Sequence, residues 1–97
     1  MTRTQASTTL SQIGRGALFM LGAKGFGYGP NGLGFRVGRN SKGVNYVMIK
    51  LDDNDTYTVT AKSVRGIKIT DKGQMSGVYC DQLNSALTSL TSMYTRL

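Results

Sequence analysis

The sequence predicts an α+β domain: a four-stranded antiparallel sheet packed by a long C-terminal helix, with one or two short N-terminal helices ahead of it. Three observations carry this. Between Gly32 and Thr70, apolar and polar residues alternate with period two, the signature of strands with one buried face. From about Gly77 the apolar residues Tyr79, Leu83, Ala86, Leu87, Leu90, Met93, Tyr94 and Leu97 fall at helical spacing instead. The strand signals are separated by short turn-forming stretches, which favour hairpins and hence an antiparallel sheet. A chain of 97 residues makes one domain over residues 1–97. It buries roughly 60–65% of its unfolded surface, too little for two cores.

Taken in order, residues 1–7 are polar and aperiodic and read as a frayed tail. Leu10, Ile13, Ala17, Leu18 and Leu21 share a helical face that Gly14 and Gly16 interrupt, each costing a helix about 1 kcal/mol relative to alanine. A short helix before Gly14 and a second from about Arg15 to Leu21 are expected, the latter ended by Gly22 in a left-handed cap. Residues 24–35 hold five glycines between Gly25 and Gly34 and read as a loop or a bulged approach to the first strand, with a turn at Pro30-Asn31-Gly32. Strand one follows, to Arg39. Asn40-Ser41-Lys42-Gly43 turns the chain into strand two, Val44–Leu51, and Asp52–Asp55 turns it into strand three, Thr56–Lys62. The junction at Ser63–Gly66 is less sharply marked. Beyond it Ile67 and Ile69 flank Lys68 in a short fourth strand, and Asp71–Ser76 reads as a loop. Ser76 is the expected N-cap of the last helix, with Asp81 near its positive end and Arg96 near its negative one.

Composition excludes several chemistries. The chain has no histidine, which rules out a Ser-His-Asp triad, a Cys-His pair and any histidine-bearing zinc site. All five acids are aspartates, three of them in one turn, so neither an enzyme nor a cofactor is expected. Asp53-Asn54-Asp55 has the flavour of a calcium loop but lacks the glycine and closing glutamate, and reads as a hairpin turn. The single cysteine, Cys80, cannot form an internal disulfide and reads as a small buried apolar group. With no apolar run near ~18 residues and no basic-apolar-small opening, neither a membrane span nor a secretory leader is expected, and a cytoplasmic setting is.

Charge points to a partner. The net charge is +7, and all of the excess lies in residues 1–50, which hold seven basic residues and no acid; residues 51–97 hold five of each. Such asymmetry suits a polyanion, because neutralising phosphates releases counterions. On the strands, the apolar face of Leu33, Phe35, Val37, Val47, Ile49, Leu51, Val59, Ile67 and Ile69 is opposed by Arg36, Tyr46, Met48, Lys50, Thr58, Thr60, Lys62 and Lys68. Basic side chains with interleaved aromatics hold single strands without sequence preference. Arg36, Arg39, Lys42 and Lys50 are the expected phosphate contacts, Lys62 and Lys68 extend the basic face, and Phe26, Tyr28 and Tyr46 are the stacking candidates, with Lys24 beside the first two. The plainer reading is that lysines at sheet edges deter strand-to-strand association.

Lys24-Gly25-Phe26-Gly27-Tyr28 is similar to the opening of the RNA-recognition signature and of cold-shock cores, and departs from both at Gly29 and Asn31. Gly27, Gly29 and Gly32 have dinucleotide-fingerprint spacing but precede a strand where that fingerprint needs a helix. The chain as a whole resembles a group of small, mostly uncharacterised phage and prophage proteins. Leu21-Gly22-Ala23-Lys24, Phe35-Arg36-Val37-Gly38-Arg39, Val44-Asn45-Tyr46-Val47, Asp55-Thr56-Tyr57, Arg65-Gly66 and Gly77 to Leu83 carry that likeness. It implies a bacterial host cell and no catalysis. Four strands followed by a long helix also resemble PC4-type single-stranded-DNA-binding proteins, whose dimers present sheets to the strand.

The expectation is therefore a small basic protein that binds single-stranded DNA or RNA, non-enzymatically and largely without sequence preference. A homodimer through the C-terminal helix is the expected assembly, since Ser85, Thr88, Ser89 and Ser92 leave its outer face uncharged. The competing expectation is a phage-encoded protein-binding module or inhibitor that docks on an acidic host protein, such as a polymerase or a defence component.

Overall fold

The computed structural model describes residues 1–93. Two helices, α1 (Arg3–Ile13) and α2 (Arg15–Met20), precede five strands: β1 (Lys24–Gly29), β2 (Gly32–Arg36), β3 (Tyr46–Leu51), β4 (Tyr57–Arg65) and β5 (Lys68–Val78). A 3₁₀ turn over Cys80–Gln82 leads into α3 (Leu83–Thr91). The sheet is a meander, β1-β2-β3-β4-β5, with each strand antiparallel to the one before it. No helix among the described residues is long and apolar enough to cross a membrane.

The α+β class and the antiparallel sheet are as the alternation predicts; the sheet has five strands, not four. The glycine-rich stretch from Lys24 pairs with β2 as an edge strand, closed by the two-residue turn Pro30-Asn31. Gly32 takes φ +117 there, and a Cβ on it would collide with the carbonyl of Ile49 and lie 3.1 Å from the Cα of Lys50. The fourth expected strand runs much further than Ile69. Its ladder with β4 continues through the expected loop Asp71–Ser76 to Val78, opposite Tyr57. That pairing holds Ser76 in extended backbone, so Ser76 caps no helix, and the C-terminal helix is short. Tyr79, expected on a buried helical stripe, and Cys80, expected as a small buried apolar group, are both exposed, and the α-helix begins only at Leu83. Tyr94, Arg96 and Leu97 lie outside the described residues.

The N-terminus also departs from expectation. Residues 1–7 are not a tail: α1 starts at Arg3 on a capping box. The Gln5 amide donates to Thr2 Oγ1 (3.1 Å) and the Thr2 amide donates to Gln5 Oε1 (2.9 Å), satisfying two amides that helical bonding leaves free. The break at Gly14 (φ +90) and the left-handed Gly22 (φ +64) fall where the glycines predict.

All three helices cover one face of the sheet. Ala6, Ile13, Ala17 and Leu21 from α1, α2 and the α2 end, and Leu83, Ala86 and Leu87 from α3, pack on Leu33, Phe35, Val47, Ile49, Val59 and Ala61. Tyr57, buried in this layer, donates from its hydroxyl to Gln12 Oε1 (2.7 Å) and accepts from Thr9 Oγ1 (3.2 Å), tying α1 to the sheet. α3 comes so close to β5 that a Cβ on Gly73 would lie 2.9 Å from Leu90 Cδ2.

Gly32→Ala is expected to destabilise the fold by about 3 kcal/mol or more, since it combines a backbone collision with a φ that L-residues rarely adopt. Urea denaturation monitored by circular dichroism measures it.

Candidate nucleic-acid interface

With the helices on one face, the other face of the sheet is left uncovered, and the register shows which side chains it carries. Residues directly opposite one another in a ladder share a face. Lys24 pairs with Arg36, Arg36 with Tyr46, Tyr46 with Lys62, and Lys62 with Asp71, so one row crosses all five strands. At about 4.8 Å between strands, the three steps from Lys24 to Lys62 span roughly 14 Å. The next row on the same face is Gly34, Met48, Thr60 and Gln74.

Both ends of the first row depend on a bulge in an edge strand. In β1 two residues separate Lys24 from Gly27 where β2 has one between Arg36 and Gly34. This extra residue, next to Gly25 at φ +66, turns Lys24 to the uncovered face while Tyr28, opposite Leu33, stays on the helix-covered side. In β5 the pairing shifts between Ala61–Gly73 and Lys62–Asp71, leaving Lys72 as the extra residue. The phase of β5 reverses across it. Ile69 and Asp71 therefore join Val64 and Lys62 on the uncovered face, and Lys68 falls on the opposite one. The expected placing of Ile67 and Ile69 in the core is thus wrong: both are exposed.

A concavity of about 690 Å³ lies along this row, with Lys24, Arg36 and Lys62 as its cations and Tyr46, Met48, Val64 and Ile69 as its aromatic and apolar surface. The hydroxyl end of Tyr46 lies over Gly34, where a Cβ would collide with it. Asn45 closes one end. Its side-chain amide donates to the Val64 carbonyl (2.8 Å) and accepts from the Val64 amide (2.7 Å), continuing the β3–β4 ladder with a side chain in place of a strand. Lys62 Nζ stands 4.0 Å from Asp71 Oδ1, an exposed ion pair that contributes little to stability.

The ten residues expected to contact nucleic acid separate accordingly. Lys24, Arg36, Tyr46 and Lys62 come together around the concavity. Lys50 shares their face but sits at its far end opposite Thr58, whose hydroxyl donates to the Asp52 carboxylate (2.6 Å). Arg39 and Lys42 are exposed on the β2–β3 loop, which Asn40 shapes through side-chain bonds to the Gly38 and Val44 carbonyls (2.9 and 2.6 Å). Phe26 and Tyr28 do not join the platform. Phe26 tilts against the core residue Phe35 (ring centroids 5.4 Å apart), and both rings flank the core at the β1 edge, about half exposed. Lys68 is removed by the β5 bulge. Sequence reasoning missed Asn45, Val64, Ile69 and Asp71; the last two are turned to this face by the β5 bulge, which leaves no mark in an alternation pattern.

No protein-family model, curated protein or solved structure matches the chain.

Gly34→Ala is expected to cost about 1–3 kcal/mol in urea denaturation, less than Gly32→Ala, because the group in the way is a side-chain end and not backbone. The double variant Gly34→Ala/Tyr46→Ala should be no less stable than Tyr46→Ala alone; a remaining deficit would place the strain elsewhere.

Proposed function

We propose that the uncovered face binds single-stranded DNA or RNA, without catalysis and largely without sequence preference. The observation that carries this reading is the cross-strand row Lys24–Arg36–Tyr46–Lys62 along a concavity floored by apolar side chains. Its cations meet phosphates; Tyr46 and Met48 offer surface to unpaired bases, whose π-faces are alike enough to make the contact sequence-tolerant. A duplex hides those faces inside its stack, so the apolar floor would be wasted on it. Lys50, Arg39 and Lys42 lie outside the concavity and add long-range attraction.

Fluorescence anisotropy with a labelled oligo-dT tests the reading. Affinity should fall with rising salt, with a log–log slope of about −2, or −0.7 for each of three phosphates neutralised. Changing Lys24, Arg36 and Lys62 together to glutamine should weaken binding roughly thirtyfold or more and flatten the slope, while leaving the circular dichroism spectrum and urea midpoint unchanged. Retained affinity in that variant defeats the assignment, and failure of the native chain to bind at low salt transfers the basic face to an acidic protein partner.

Asp71 is the one acid of the row, and it stands beside Lys62. Asp71→Asn is expected to tighten oligo-dT binding a few-fold at low salt and to make no difference at high salt, where the Debye length falls to about 3 Å. The same titration, repeated at both salt concentrations, checks it.

A further inference from the structure

We infer that the site takes the junction where a single strand enters a duplex, with the tip of the β4–β5 hairpin meeting the last base pair. The inference rests on the reading of the concavity as a single-strand site and adds an element that reading does not use. Ile67 stands at the tip with a relative exposure of 103%, so no other part of the described chain shields it. The ladder closes at Arg65–Lys68, leaving the two-residue turn Gly66-Ile67, with Gly66 at φ +62 in the position that a II′ turn reserves for glycine. A turn this tight cannot fold Ile67 back onto the sheet.

The tip is continuous with the groove. Ile69, 61% exposed, pairs with Val64 and lines the concavity. Ile67 is two residues further along, about 7 Å at the rise of a strand. Arg65 and Lys68, paired across the last rung on the side away from the concavity, are both exposed next to it, and the nearest acid along β5 is Asp71. Asn45 grips both backbone groups of Val64 at the root of the hairpin and fixes its direction. An exposed branched aliphatic side chain between two cations matches the end of a duplex: a flat apolar base-pair face bordered by two phosphate backbones. Apolar side chains set against or between base steps in this way are a recurrent means of unstacking and redirecting nucleic acid. A strand lying in the groove and passing Ile69 would bring its paired portion to the tip, so that both contacts are made by one ligand.

The test compares three labelled ligands by anisotropy at fixed salt: oligo-dT, a blunt hairpin duplex, and the same duplex carrying an oligo-dT tail of either polarity. The tailed duplex should bind at least about tenfold tighter than either of the others. Ile67→Ser, at a site with no packing to lose, should reduce its affinity to that of oligo-dT and leave oligo-dT binding as it was. Arg65→Gln/Lys68→Gln should do the same with a shallower salt slope. Equal affinities for oligo-dT and the tailed duplex overturn this inference and leave the single-strand reading standing, as does a junction preference that survives Ile67→Ser. Tight binding of the blunt duplex without binding of oligo-dT overturns both. Should anionic vesicles bind the native chain but not Ile67→Ser, in the absence of any junction preference, the tip belongs to a membrane surface and the inference fails.

Discussion

The pairing of β3 with β4 is the constraint on which the rest of the molecule depends. Val47 opposite Ala61 and Ile49 opposite Val59 place every second side chain of the central strands under the helices. A slip of one residue would turn one strand over against the other, so that Tyr46 and Met48 would share a face with Val59 and Ala61 while Val47 and Ile49 shared one with Thr60 and Lys62. Core formation and site formation are therefore the same event: whatever fixes Val47 and Ile49 inward fixes Tyr46, Met48 and Lys50 outward.

The edge strands then break the rule that the centre obeys. Strict alternation in β1 would send Lys24 to the side of Phe26 and Tyr28, and strict alternation in β5 would keep Ile69 and Asp71 with Gly73. One extra residue in each strand prevents this, so the row of cations has members that the central register alone could not supply. These bulges, with a second register shift in β5 between Met75 and Val78, also disturb the outer hydrogen-bonding edges of the sheet, which would otherwise offer a regular template to other strands.

Much of the fold was legible in the residues. The three central strands follow from alternation, the helix break from Gly14 and the helix stop from Gly22. The Thr2-Arg3-Thr4-Gln5 capping box was not read, because polarity and lack of period made residues 1–7 look like a tail. The strand nature of Lys24–Gly29 was not, since glycine has little strand preference of its own and pairs here because β2 lies beside it. The length of β5 was hidden for a similar reason: Asp71, Lys72 and Gly73 have turn chemistry locally, and the ladder to β4 overrides it. Of the expected contacts, those on central strands were placed correctly on the uncovered face, and the errors fell on the edge strands. Phe26 and Tyr28 were singled out by a motif resemblance that carries no register, so their place against the core at the β1 edge was not legible.

The strand order has a consequence for how the chain comes to be folded. Each strand pairs with its immediate predecessor, so hairpins can close one after another as the polypeptide emerges, with short loops and small entropic cost. The layer that covers them is not local. α1 and α2 come first, but Leu83, Ala86 and Leu87 arrive last, after the whole sheet has been made. During synthesis the growing meander thus carries a half-covered apolar face while its basic face is already complete. The last helix to be made is therefore the one that closes the core.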